Sequence, residues 1–144
     1  MAIPIQVTFD CADPARLATF WASALGYKLQ DPPAGYATWA EFLDALGVPE
    51  ERWSAASAVV DPEGRGPRMY FQRVPEPKMV KNRVHLDVNV GGPAGTPVEE
   101  RRPRVDAAVD RLVGEGATRL RTLEEYGEYC VVMQDPEGNE FCLQ

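Results

Sequence analysis

His85 is the single histidine of the chain, and Asp87 two residues on makes the pair the best candidate for moving a proton. Residues i and i+2 of a strand share a face, and an imidazole titrates near neutrality, so His85 is the candidate catalytic base or polar anchor. The plainer reading is a hydrogen-bonded network with a structural role only. One imidazole per chain cannot furnish the two histidines of a 2-His-1-carboxylate iron site. Cys11, Cys130 and Cys142 are odd in number and show no CxxC spacing, which fits reduced thiols better than a disulfide framework. A nucleophilic Cys142 would lack a second histidine to activate it. Glu140 and Cys142 are two apart and share a strand face. Trp39, Tyr70, Tyr126 and Tyr129 are aromatic candidates for the walls of a binding site, although most aromatic side chains serve a core.

The elements that must position these groups read as two copies of one unit. Residues 5–10 (Ile-Gln-Val-Thr-Phe-Asp) and 84–89 (Val-His-Leu-Asp-Val-Asn) alternate apolar and polar side chains, the pattern of a half-buried strand. Gln6, Thr8 and Asp10 then share one face, as do His85, Asp87 and Asn89. A helix follows each strand. Asp13-Pro14 supplies an N-cap and a proline at the first helical position, Leu17, Phe20, Trp21 and Leu25 form the apolar stripe, and Gly26 ends it. In the second copy Pro103 is expected to open the helix, with Val105, Ala108, Val109, Leu112 and Val113 as its stripe. Each copy closes in a hairpin around Asp-Pro-Glu-Gly, at 61–64 and 135–138, a composition suited to a type I turn. His85 lies 79 positions after Gln6, and Asp135 lies 74 after Asp61; duplication explains this agreement better than coincidence.

The first copy carries an insert over about 31–53. Thr38-Trp39-Ala40-Glu41 has capping-box form, with Phe42, Leu43 and Leu46 as the expected buried side. The insert reads either as a structural packing element or as a lid placing Trp39 and Phe42 over a ligand. Residues 76–81 join the copies.

At 144 residues, 44% hydrophobic and 26% charged, the chain has the size and composition of one globular domain. A net charge of −7 argues against nucleic acid, which requires clustered Lys and Arg; Arg101, Arg102 and Arg104 are mixed with Glu99, Glu100 and Asp106 and read as a solvated helix face. No apolar run approaches a membrane span, and Met1-Ala2-Ile3-Pro4 shows no secretory signal. A cytoplasmic protein without membrane or nucleic-acid partners is expected.

The segments QVTFDCADP, FWASALGY, VVDPEG, VHLDV and DPEGNEFCL resemble those of glyoxalase-like, or vicinal-oxygen-chelate, proteins, in order and over nearly the whole chain. The family includes glyoxalase I, extradiol dioxygenases, epimerases, thiol transferases that inactivate fosfomycin, and bleomycin-binding resistance proteins. The resemblance implies an α+β fold in which two β-α-β-β-β units form a cup-shaped mixed sheet with helices on the outer side. One domain would span 1–144, with units at about 1–78 and 79–144. Metal-dependent relatives take ligands from the opening and closing strands of both units, positions that fall here on Gln6, Tyr70, His85 and Cys142. No carboxylate is among them, so no tightly held metal is expected, although a divalent ion is a property of the family. The resemblance implies a small-molecule ligand or substrate in a pocket lined by Gln6, Thr8, Trp39, Tyr70, Asp87 and Cys142, and a homodimer. Two functions follow: a lyase or isomerase acting on a small oxygenated metabolite with His85 as base, or a non-catalytic protein that sequesters a drug or metabolite.

Overall fold

The computed structural model describes all residues, Met1–Gln144, and the chain divides into two compact units, Met1–Pro77 and Lys78–Gln144. In the first unit β1 (Val7–Cys11) leads into α1 (Pro14–Leu25) and β2 (Lys28–Leu29). The insert contributes α2 (Trp39–Ala45) and a 3-10 turn at Glu50–Arg52, before β3 (Ala56–Val60) and β4 (Met69–Arg73). The second unit repeats the order with β5 (Asp87–Val88), α3 (Val98–Gly114), β6 (Thr118–Glu125), β7 (Glu128–Gln134) and β8 (Glu140–Leu143). Each unit forms a four-stranded mixed sheet, ordered β1-β4-β3-β2 in one and β5-β8-β7-β6 in the other. In both, the opening strand runs parallel to the closing strand and the other pairs are antiparallel. The α+β architecture of two β-α-β-β-β units is therefore as expected. No helix is long and apolar enough to cross a membrane.

The period of two along each strand divides core from site. Val59, Met69 and Phe71 point to the α1 side and are at most 2% exposed, against Leu17 and Trp21 of α1, which are equally buried. The rings of Phe9 and Trp21, and of Phe9 and Phe71, lie 5.2 Å apart. Thr8, Asp10, Ala58, Tyr70 and Gln72 must then point to the opposite face. In the second unit Val105, Val109 and Leu112 of α3 are buried with Val131, Met133, Phe141 and Leu143. Burying each such large side chain contributes about 1.5–3 kcal/mol.

Local chemistry sets the boundaries. The Asp13 carboxylate accepts the Arg16 N–H at 3.2 Å, and Gly26 takes a left-handed φ of 68° at the end of α1, which a side chain would resist. The two Asp-Pro-Glu-Gly turns close with N–H of Gly64 to Asp61 O at 3.0 Å and N–H of Gly138 to Asp135 O at 2.9 Å. Asp135 is 2% exposed, and its Oδ1 accepts the backbone N–H groups of Glu137 and Asn139 at 2.9 and 3.0 Å.

Three expectations need correction. The opening strands begin later than 5 and 84: pairing starts at Val7 with Met69 and at Asp87 with Cys142, so Gln6 and His85 sit just before their strands. Ile5 and Val84, beyond the reach of the partner strands, are 70% and 81% exposed. Pro103 does not open α3, which starts at Val98 with Glu99 and Glu100 in its first turn. Acidic residues there complement the helix dipole. The hydrogen bond that Pro103 cannot donate falls on the exposed Glu99–Pro103 side, where water can take the carbonyl. Leu46 is not part of a buried side. Tyr36, Trp39 and Phe42 pack on one another at 5.2 and 5.8 Å, and Leu46, at the helix cap, is left 61% exposed.

Asp135→Ala is expected to cost about 2–3 kcal/mol in denaturant unfolding, because it removes a buried acceptor and strands the part-buried N–H donors of Glu137 and Asn139. The matching Asp61→Ala, in a more exposed turn, should cost about 1 kcal/mol. Equal costs would contradict the difference in burial.

Candidate functional site

In the first unit, the sheet face turned away from α1 forms the floor of a cavity of about 370 Å³. Its floor is Ala56, Ala58 and Tyr70, Leu29 of the edge strand lies at its rim, and Trp39 and Leu43 of α2 and Trp53 form a wall. The small side chains on β3 give the cavity its depth. The insert is tied down at one indole, where Trp39 Nε1–H donates to Gln30 O at 2.8 Å, and is braced internally by Trp53 Nε1–H, which donates to Val48 O at 2.9 Å. The Thr38 hydroxyl accepts the Glu41 N–H at 3.1 Å, and Glu41 Oε2 accepts the Ala37 N–H at 3.0 Å, so the capping box closes one residue earlier than its usual reciprocal bond. Phe42 does not line the cavity; it supports Trp39 from behind.

Two guanidinium groups, Arg52 and Arg68, line this cavity, and no carboxylate does. Arg68 is half-buried and is held entirely by neutral groups. Its Nε–H donates to Gln30 Oε1 at 2.7 Å, its Nη1–H to Gln6 Oε1 at 2.8 Å, and its guanidinium carbon lies 5.1 Å from the centre of the Tyr70 ring. Gln6 Nε2–H in turn donates to Thr8 Oγ1 at 3.3 Å. Gln6, Thr8 and Tyr70 are thus organised around, or next to, Arg68, but of the three only Tyr70 lines the cavity; Gln6 and Thr8, expected in its lining, stand behind the guanidinium instead. Arg68, Arg52, Gln30 and Trp53 were not singled out in the sequence. The signal for Arg68 was available: it stands two residues before Tyr70 on the approach to the same strand, hence on the same face.

The second unit has a smaller cavity of about 260 Å³ containing His85, Asp87, Cys130, Glu140 and Cys142. His85 Nδ1 and Asp87 Oδ1 are 2.9 Å apart, on side chains 42% and 43% exposed. Asp87 pairs across the parallel ladder with Cys142, as Thr8 pairs with Tyr70. The ligand atoms of His85, Asp87 and Cys142 lie within 4.8 Å of one another. Burial pushes the Cys142 thiol up to about 12, with the Cys130 thiol and the Asp87 carboxylate adding to the rise. Burial raises the Cys130 thiol as well, and all three cysteines are free. The Glu140 carboxylate is already engaged, accepting the Asn82 N–H at 2.9 Å and facing Lys78 Nζ at 3.2 Å. Burial would raise its pKa, but these partners hold it below the ordinary carboxylate value. Tyr126 and Tyr129 line neither cavity. Tyr126, at φ 53° beside Gly127 at φ 77°, forms the exposed two-residue turn of the β6–β7 hairpin. Tyr129 is buried, with its hydroxyl on Asp106 Oδ1 at 2.5 Å.

Residues 6–144 match the model of the glyoxalase-like domain, and the chain belongs to that family. Its fold is similar to a glyoxalase/bleomycin resistance protein/dioxygenase family enzyme from Burkholderia phytofirmans PsJN, at 18% identity over 96% of this chain and 94% of that one, with a TM-score of 0.61. It is also similar to a mutant of the fosfomycin resistance protein FosX from Listeria monocytogenes, complexed with Mn(II) and 1S,2S-dihydroxypropylphosphonic acid. That likeness has 10% identity, covers 100% and 90% of the two chains, and has a TM-score of 0.63. TioX from Micromonospora sp. ML1 shares 17% identity over 99% and 97%, with a TM-score of 0.52. Such identities carry the fold alone. No curated protein matches the chain closely enough to lend it an activity.

A divalent ion such as the manganese of that FosX complex does not fit the donors of the first unit. The Gln6 amide oxygen already accepts from a guanidinium, and a second cation beside it would be repelled. The second unit offers one imidazole, one carboxylate and a protonated thiol, a mixed N, O and S set closer to the tastes of zinc than of manganese.

Cys142 is expected to react with iodoacetamide near neutral pH at least about a hundredfold more slowly than a free thiol, because the thiolate is the nucleophile. Peptide mass spectrometry of a labelling time course checks this; rapid stoichiometric labelling of Cys142 would refute it.

Proposed function

We propose that this chain is a small-molecule-binding protein of the glyoxalase-like family that holds an apolar or aromatic ligand in the cavity of its first unit without transforming it. The observation that carries the reading is the lining of that cavity. Two indoles, leucines and alanines provide apolar contact, a few polar groups provide orientation, and no imidazole, carboxylate or thiol is present to act as acid, base or nucleophile. An apolar cavity with a few fixed polar anchors is what recognition of a small organic molecule requires. Catalysis of a lyase or isomerase reaction needs, in addition, a proton-transfer group at the ligand, for which this cavity offers only the Tyr70 phenol and the Ser57 hydroxyl.

One observation favours the second reading, an enzyme acting on a small oxygenated metabolite. His85 and Asp87 are in contact, and a carboxylate on one ring nitrogen orients an imidazole for proton transfer at the other. On that reading His85 is the catalytic base, with Asp87 as its positioning partner.

Titration with 2-naphthamide, followed by quenching of indole fluorescence, is the direct test. Trp39→Ala should weaken binding about tenfold or more, because a wall of aromatic contact is lost, while His85→Ala should leave it unchanged. Binding that survives Trp39→Ala but not His85→Ala would move the ligand to the second unit and favour the enzyme. Elemental analysis after mild purification should find well under one metal ion per chain, and stoichiometric zinc, nickel or iron would overturn the metal-free form of the proposal.

A further inference from the structure

The chain has a net charge of −7, yet the cavity of its first unit carries two arginines and no acid. Arg68 is the informative one. A half-buried guanidinium ordinarily sits against a carboxylate, because desolvating the charge without an anion is costly. Lys28, Arg65, Lys78, Arg101, Arg102, Arg104 and Arg111 all have acidic partners, and Arg73 and Arg119, which have neutral ones, are exposed to water; the half-buried Arg68 is held by two side-chain amides and an aromatic face. Those contacts orient the group without neutralising it. The cation that organises this half of the site is therefore part of the chain.

We infer that Arg68 is the electrophilic anchor of the cavity, a fixed guanidinium in place of a metal ion, and that the ligand class is an aromatic or apolar carboxylate. The class follows from shape and charge together. Trp39, Trp53, Leu29 and Leu43 take the apolar body, and the planar fork of Arg68 takes the two oxygens of the carboxylate, a bidentate match that an ammonium could not reproduce. Arg52, exposed at the 3-10 turn, adds positive potential without being held in place. The anion would complete the neutralisation that the amides leave undone.

This inference rests on binding in the first unit's cavity, and the experiment separates the two. Wild-type protein is titrated with 2-naphthoate and with its neutral counterpart 2-naphthamide, each with added manganese chloride and with EDTA. We expect naphthoate to bind about tenfold or more tightly, equally with manganese and with EDTA. Arg68→Met should abolish the preference while retaining naphthamide binding, and Arg68→Lys should keep only a part of it. Circular dichroism verifies the fold of each variant. If Arg68→Met does not fold, the wild-type preference and its reduction in Arg68→Lys decide the matter. Equal affinity of the two probes in the wild type overturns the anchor and leaves the binding proposal standing. A preference that survives Arg68→Met or Arg68→Lys undiminished, or one that depends on manganese, also overturns it. If neither probe binds, both proposals fall together.

Discussion

The parallel pairing of the opening strand with the closing strand is the constraint from which the rest of each unit follows. β1 on β4, and β5 on β8, can be paired only through a long crossover, which the helix and two further strands provide. Once the register is set, with Thr8 opposite Tyr70 and Asp87 opposite Cys142, the alternation of side chains leaves no freedom. Phe9, Met69 and Phe71 must enter the core, and the polar partners must face the other way. A slip by one residue would exchange the two sets, putting Tyr70 against α1 and Phe71 in the cavity. Packing and site are therefore specified by the same ladder.

Much of this was legible in the residues. The alternation at 5–10 and 84–89, the Asp13-Pro14 start, the Gly26 stop and the repeated Asp-Pro-Glu-Gly turns are local signals, and local physics enforces them. The strand ends were not legible, because pairing ends where the partner ends: Ile5 and Val84 continue the pattern but have nothing to lie against. The start of α3 was misread for a related reason. Proline is a strong local breaker, yet at position 103 its lost hydrogen bond falls on a solvated side and the acidic first turn upstream prevails. At the site, Tyr70 and Cys142 were reached through the family resemblance. Arg68 was not, since its meaning lies in Gln6 and Gln30, residues 62 and 38 positions away, which no local pattern joins.

The two units show how duplication permits division of labour. Equivalent ladder positions hold Thr8 and Tyr70 in one copy and Asp87 and Cys142 in the other. One copy surrounds a guanidinium with neutral acceptors; the other gathers an imidazole, a carboxylate and thiols kept protonated by burial. The backbone is common to both, and the chemistry differs through a handful of side chains on one sheet face. Within such a family the fold therefore says little about reaction type, and the charge carried on each face says much more.

The attachment of α2 has a kinetic consequence. The helix has no buried residue, and the side-chain bond that ties it to the sheet segment is the one from the Trp39 indole to Gln30. A hydrogen bond of that kind contributes on the order of 1 kcal/mol net, far less than the unfolding free energy of a domain. Loosening of the insert is accordingly a local event that leaves the core of its unit intact. A molecule held beneath Trp39 would have a residence time set by that local opening, so variants at the tether would change how quickly it leaves without unmaking the surface that recognises it.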